Sequence, residues 1–214
     1  MTSTRRTILL AAVALVAAGA GAILLRAVVH QQRLARLMAD MQAAEASYHA
    51  GLARTLAVSS ESVEAGGRMA DAFTCHGAEK SPPVAWTNAP AGVQSFALMM
   101  VDADVATRRP HVWSFTHWIL YNIPARESSI GAGAGRDELR QKGIEDGENA
   151  LGRHGYFGPC SKSDEHHYLI RVYALDVPRI RPEAPDRQGI AEAMKGHILA
   201  FGEVSTRAGN WGER

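Results

Sequence analysis

Most of the side chains that could do chemistry lie in five short segments. They are Ser81-Pro82-Pro83-Val84-Ala85-Trp86, Asp102-Ala103-Asp104, His117-Trp118, Gly155-Tyr156-Phe157-Gly158-Pro159-Cys160 and His166-His167-Tyr168. Each borders an apolar run. Polar groups at strand ends can converge on one cavity while the strands between them build a core. Asp102 directly follows such a run, so its carboxylate either caps the next turn or points into a cavity. His117 sits mid-run, where a satisfied structural role competes with a functional one. The 155–160 stretch holds two glycines and a proline. Its glycines allow backbone amides to approach a ligand closely. Side chains alternate along a strand, so His166 and Tyr168 project to one face and His167 to the other. Protonated imidazoles, a phenol hydroxyl and loop amides can donate to phosphate oxygens. A carboxylate among them can hold a histidine in its donor form or accept from an ammonium group. Acetate or sulfate fits the same logic.

Strands must position these groups. From Leu56 onward Gly, Pro, Asn, Asp and Ser punctuate short apolar runs, the pattern of strands joined by loops. Phe96 to Val101 is apolar throughout, as expected of a central strand. Phe115 to Ile123 is a second strand, with Phe115, His117, Ile119, Tyr121 and Ile123 expected on one face and Trp118 on the other. His167 to Asp176 is a third. Arg136 to Gly143 and Arg187 to Phe201 are expected to be helical. The latter places Ile190, Met194, Ile198 and Phe201 on one side and opens at Asp186, a capping residue. Ser128 to Gly135 is a flexible loop by composition and lacks the ending of a phosphate-binding loop.

The order and spacing of the five segments resemble the phosphatidylethanolamine-binding protein family, in its bacterial Raf-kinase-inhibitor-like branch. The resemblance covers roughly Leu56 to Ala208. It implies a mainly β domain, an antiparallel β-sandwich with a few peripheral helices. It also implies a pocket lined by Asp102, His117, Gly158, Pro159, His166 and Tyr168, holding a small anion or a phosphate-bearing head group. Trp86 and Trp118 are expected to be core, Tyr156 is read either as a wall or rim residue or as plain packing, and one of Trp113 and His111 as part of the rim. The family usually reads Asp-Pro-Asp-Ala-Pro where this chain has Asp102-Ala103-Asp104-Val105-Ala106, and His-Arg-Tyr where it has His166-His167-Tyr168. The absent prolines leave the loop less stiff, and His167 replaces a permanent cation with a titratable group. The role implied is non-catalytic binding without a cofactor, with regulation or inhibition of a partner protein. Two other classes stay open: an inhibitor of a protease or kinase acting through surface loops, and a metal-dependent enzyme using Asp102, His117 and His166. No Gly-x-Ser-x-Gly elbow exists, which argues against a serine hydrolase.

Composition narrows the field further. A net charge of +1 over 214 residues gives no basic excess of the kind nucleic acid would require. The two cysteines, Cys75 and Cys160, lack metal-type spacing. In an oxidising compartment they could form a disulfide; two buried thiols are the alternative. Ile8 to Leu25 is 18 residues without a charge, flanked by Arg5-Arg6 and Arg26. That length can cross a bilayer. It is read as a membrane anchor over residues 1–27, with a cleaved export signal as the alternative. Residues 28–55 follow as a helical stalk and 56–214 as the binding domain, expected on the extracytoplasmic side. Leu34, Leu37, Met41, Ala44 and Tyr48 give the stalk a narrow apolar stripe.

Overall fold

An unbroken apolar run needs burial on both faces, and the run at Phe96–Val101 receives it. In the computed structural model it forms the middle of a five-stranded antiparallel sheet. The structure describes residues 3–64, 67–108 and 112–210, with side chains from residue 19 onward except at 108 and 112. The strands are β1 (Ala57–Ser59), β2 (Val84–Thr87), β3 (Ser95–Arg108), β4 (Val112–Pro124), β5 (Ser129–Ile130), β6 (Glu145–Asp146), β7 (Glu165–Leu175) and β8 (Ile198–Gly209). The helices are α1 (Ser3–His49), α2 (Arg136–Gln141) and α3 (Arg187–Met194). The large sheet runs β6-β4-β3-β7-β8 and the small one β1-β2-β5, with all pairings antiparallel.

Two cores flank the large sheet. The first holds Leu98, Met100, Trp118, Ile170 and Val172 of that sheet together with Val84, Trp86 and Ile130 of the small one. It is the filling of a two-sheet sandwich, built from alternate residues of each strand. The second core, on the opposite face, gathers Met99, Ile119, Tyr173, Ile190, Met194 and Phe201, with Tyr48 and Leu52 packed against it. The mainly β sandwich with a few helices is therefore as expected.

Several local expectations need correction. The helix expected over Arg187 to Phe201 stops at Met194 and gives way to β8. Gly196, at φ 82°, turns the chain between them. Ile190, Met194, Ile198 and Phe201 do share one core, which explains their helix-like recurrence. Asp186 caps α3 as expected, accepting from the Gly189 amide at 2.8 Å. The stretch read as a flexible loop contains β5, whose Ile130 is buried. The stalk helix ends at His49 rather than near Thr55, just before Gly51 at φ 79°.

The chain divides into two compact units between Asp40 and Met41. The first contains the greater part of α1, with Ile23, Leu24 and Leu25 exposed. The second takes in the last turns of α1 and everything after them. Met41 is buried there and Tyr48 donates to the Ala191 carbonyl at 3.0 Å. Among the described residues no helix is long and apolar enough to cross a membrane. Most of the expected span, Ile8 to Ala18, has side chains outside the described set.

Candidate functional site

Strand register brings the expected residues together at one end of the large sheet. Asp102 pairs with Tyr168 across β3 and β7, and with Phe115 across β3 and β4. The period of two along β7 then places His166 beside Tyr168 on the same face, their rings 6.5 Å apart and nearly parallel. His166 Nδ1 lies 2.7 Å from Asp102 Oδ2. The other oxygen, Oδ1, accepts from the Asp104 amide at 2.9 Å. The turn-capping role read for Asp102 is filled, and the residue also holds a histidine. One oxygen closes a turn two residues long, as Asp side chains do, and the other holds a histidine. The three residues after Asp102 bulge out of register, since the next pair is Ala106 with Ser114.

His117 reaches the cluster by an irregularity. Met100 pairs with Trp118, yet Val101 pairs with Thr116, so β4 carries one extra residue at His117. A bulge of this kind breaks strict alternation. Trp118 joins the sandwich core that contains Tyr168, while the His117 ring meets Tyr168 edge-on at 5.2 Å. The expectation that Trp118 faces away from His117 is corrected on this account, although its place in the core stands. A second irregularity near Asn122, at φ 57°, sends Ile123 into the sandwich core while Ile119 and Tyr121 stay in the other. The five alternate residues of β4 therefore do not share one face.

Electrostatics differ among the four. His117 is 3% exposed, and its Nδ1 lies 2.6 Å from the Phe157 carbonyl. Burial pushes its imidazole below the ordinary range. The Phe157 bond and Asp102 oppose that shift, and His166 adds to it. Burial also raises the Tyr168 phenol well above its usual range, with the Asp102 carboxylate against it acting in the same direction.

The 155–160 loop behaves otherwise than expected. Gly158 and Pro159 are buried, but their polar groups hold a neighbouring loop. The Gly158 amide donates to Glu79 Oε1 at 3.0 Å, and the Pro159 carbonyl accepts from the Cys75 amide at 3.1 Å. A Cβ at 158 would lie 3.1 Å from the Cys75 nitrogen and 2.9 Å from Glu79 Cγ. Close approach at this glycine is to the chain itself. Cys75 and Cys160 form a disulfide with Cα atoms 5.4 Å apart. The residues of this strap that touch the histidines are Phe157, through its carbonyl and its ring stacked on His117, and Ser161, whose hydroxyl is 3.4 Å from His166 Nε2. Sequence reasoning missed both. A backbone carbonyl has no residue signature, and Ser161 is marked only by following Cys160. Tyr156 packs against Trp118 and donates to the Phe73 carbonyl. His111 lies outside the described residues. Trp113 is buried on the other face of the sheet, so it forms no rim here.

That other face carries a second polar cluster. Glu45 of α1 accepts from Arg171 Nη1 at 2.7 Å, from Arg187 Nη2 at 2.6 Å and from the Ser114 hydroxyl. Arg171 Nε also donates to Glu203 at 2.9 Å. A cavity of about 380 Å³ adjoins it, lined in part by Trp113, Thr116, Asn149, Arg187 and Gln188. Among the described residues no group of three or more His, Cys, Asp or Glu side chains is placed to hold a metal ion. Asp102 and His166, two of the three ligands a metal-dependent enzyme would require, are bound to each other.

An antiparallel two-sheet sandwich with a histidine–aspartate–tyrosine cluster at its strand ends is the architecture of a ligand-binding domain. Residues 59–208 match the family model described as phosphatidylethanolamine-binding protein. A protein of Methanothermobacter thermautotrophicus described as UPF0098 is 35% identical over 133 residues, covering 62% of this chain and 85% of that protein. Another UPF0098 protein, from Aquifex aeolicus, is 33% identical over 150 residues, covering 69% and 84%. The crystal structure of the homologue CT736 from Chlamydia trachomatis superposes with a TM-score of 0.62 at 28% identity, over 73% of this chain and 98% of that one. Escherichia coli YbcL, described as a member of the mammalian family, gives a TM-score of 0.62 at 25% identity, over 72% and 98%. The chain belongs to the phosphatidylethanolamine-binding protein family.

Proposed function

We propose that the domain is a non-catalytic binder of a small anion or phosphate-bearing head group, and that it acts on the extracytoplasmic side of a membrane. The observation that supports the pocket most directly is the 2.7 Å contact between His166 Nδ1 and Asp102. The contact orients the ring, and the Ser161 hydroxyl, 3.4 Å from its Nε2, adds a donor that an oxyanion can meet. The uncharged run Ile8 to Leu25 supports a membrane tether, and the Cys75–Cys160 disulfide suits an oxidising compartment. Regulation of a partner protein would follow from occupancy of the pocket.

Calorimetric titration of the purified domain with inorganic phosphate tests the reading. Asp102→Asn and His166→Ala should each weaken binding by about tenfold or more, the loss of one charge-assisted hydrogen bond. Unchanged affinity in both variants would refute the assignment.

A further inference from the structure

The cavity of about 380 Å³ on the second face of the large sheet has none of Asp102, His117, His166 or Tyr168 in its lining. Its size lies within the ordinary range of small-ligand sites. Two local contacts build its walls. The Glu148 amide donates to the Pro185 carbonyl at 2.7 Å, which sets Glu148 beside Asp186. Gly147 permits that approach, since a Cβ there would lie 2.6 Å from the same carbonyl oxygen. Trp113 Nε1 donates to Gln188 Oε1 at 2.6 Å, which ties β4 to the first turn of α3. Asp186, Arg187 and Gln188 thereby share the lining with Trp113, Glu148 and Asn149.

The neutral donors of this lining are spent within the protein. Asn149 Nδ2 donates to the Gly155 carbonyl and Gln188 Nε2 to Glu192. Arg187 is different. Its side chain is 8% exposed, Nη2 is taken by Glu45, and Nε and Nη1 are buried with no hydrogen-bond partner. The stack on Trp113 uses the flat face of the guanidinium. The N–H bonds lie in its plane, so the stack leaves them unfilled. Nor is Glu45 a counter-charge for Arg187 alone, because Arg171 and the Ser114 hydroxyl share it. The two carboxylates of the lining have the opposite need. Asp186 Oδ1 accepts from the Gly189 amide, and the charged group nearest Glu148 is His154, with Nε2 at 3.9 Å. Among the described residues no lysine or arginine pairs with either carboxylate.

We propose that this cavity is a second ligand site, which takes a small zwitterion of the free α-amino acid type, its carboxylate on Arg187 and its ammonium on Asp186 and Glu148. Unfilled donors require an accepting group, and charge makes that hydrogen bond stronger. Unpaired carboxylates require a donating cation. An anion alone would face two like charges, and an amine alone would leave the Arg187 N–H groups as they are. One small molecule carrying both groups answers both needs. The inference is independent of the anion-binding reading, since the two sites lie on opposite faces of the sheet.

The test is a thermal-shift screen of the purified protein at neutral pH against the common L-amino acids, followed by calorimetric titration of the best one. That amino acid should bind at least about tenfold more tightly than the matching amine without the carboxylate and the matching acid without the amine, each lacking one charge-assisted hydrogen bond. Absence of binding by every amino acid up to about 10 mM would overturn the inference. So would an amine or an acid that binds as tightly as the whole zwitterion. Saturating phosphate should leave the amino acid's affinity unchanged; competition would move its binding to the histidine cluster and overturn the assignment. Asp186→Asn keeps a capping side chain, because asparagine caps about as well as aspartate, and Glu148→Gln keeps its shape. Each should weaken amino acid binding by about tenfold in a folded protein. Unchanged affinity in both would refute the site. In Arg187→Lys, which keeps a cation for Glu45 but loses the planar fork, the preference for the amino acid over its amine should fall toward one. A preference equal to the parent's would remove Arg187 from the site. Should that variant fail to fold, the Asp186→Asn and Glu148→Gln titrations decide.

Discussion

Two polar clusters lie on opposite faces of the same sheet, and β7 supplies both. His166 and Tyr168 point one way; Arg171 points the other, beside Tyr173. Both clusters are buried, yet their charges end differently. Burial pushes the Glu45 carboxyl up, but Arg187, Arg171 and the Ser114 hydroxyl outweigh it and hold the group at about 2. Each charge there has an opposite charge in contact, and the Arg187 N–H groups without hydrogen bonds belong to a guanidinium 4.7 Å from the Trp113 ring centre, a cation–π contact. In the other cluster burial pushes His117 down, and nothing nearby is strong enough to reverse it. The contrast teaches that burial of charge does not mark a binding site.

The sharpest way to break this contrast is Glu45→Gln. It would leave Arg171 and Arg187 buried without their shared counter-charge, a loss of about 3–5 kcal/mol. For a domain of this size, calorimetry should show a melting temperature lower by about 10 °C. Phosphate affinity at 25 °C should stay close to the parent's, because this cluster lies across the sheet from the proposed site. The same carboxylate governs acid stability. Its folded value of about 2 lies below the ordinary 4.5, so the unfolded chain takes the proton first. Its contribution is complete above 4.5 and fades as pH falls from there to about 2, by about 3 kcal/mol in total. Glu45→Gln should lack that part of the acid slope. A variant with the parent's slope would show that Glu45 is not its source, and one that loses phosphate binding while folded would show that the two faces are not separate.

A smaller effect on stability, and a larger one on binding, is expected from the disulfide. The double substitution Cys75→Ser, Cys160→Ser should cost about 2–4 kcal/mol, read as a shift in the denaturation midpoint. The strap it fastens touches both histidines of the cluster, through the Phe157 carbonyl and the Ser161 hydroxyl. Phosphate affinity should therefore fall in the folded double variant, opposite to the outcome for Glu45→Gln. Unaltered affinity would mean that the hydrogen bonds from Cys75 and Gly158 hold the strap unaided.

How much of this was legible depended on how local the determining pattern is. His166 and Tyr168 could be set on one face because a strand's period of two fixes relative facing, and Asp102 could be read from its place directly after the apolar run. His117 was assigned to the expected pocket by resemblance, and it does meet Tyr168; periodicity misjudged its neighbour Trp118, because one inserted residue in β4 shifts every face beyond it. The Glu45 cluster was not legible at all. Glu45 lies in a segment whose apolar stripe explains it as a plain helix, and its partners Arg171 and Arg187 are 126 and 142 residues away. Charge pairing over such distances leaves no trace in local spacing. Gly158 carried a true signal, the need for close approach, but composition could not say that the approaching group was the Cys75–Glu79 loop instead of a ligand.

The smallest effect should come from the exposed pair that contains His167, the residue standing where the family usually has arginine. His167 Nδ1 lies 2.9 Å from Asp104 Oδ2, but their side chains are 56% and 42% exposed. A pair so open to solvent contributes under about 1 kcal/mol, and less in high salt. His167 also lies on the strand face opposite to His166 and Tyr168, away from the pocket. Asp104 does support Asp102, though through its backbone, since its amide holds Asp102 Oδ1 at 2.9 Å. Replacing the side chain leaves that amide in place. Asp104→Asn should therefore change the denaturation midpoint little and leave phosphate affinity within about fivefold of the parent's. A larger loss of affinity would place the Asp104 carboxylate among the groups that set the pocket, and the missing prolines at Ala103 and Ala106 would then have been replaced by an ion pair as well as by the Asp102 turn. A loss confined to low salt would instead assign the effect to long-range attraction or repulsion of the anion, which screening removes.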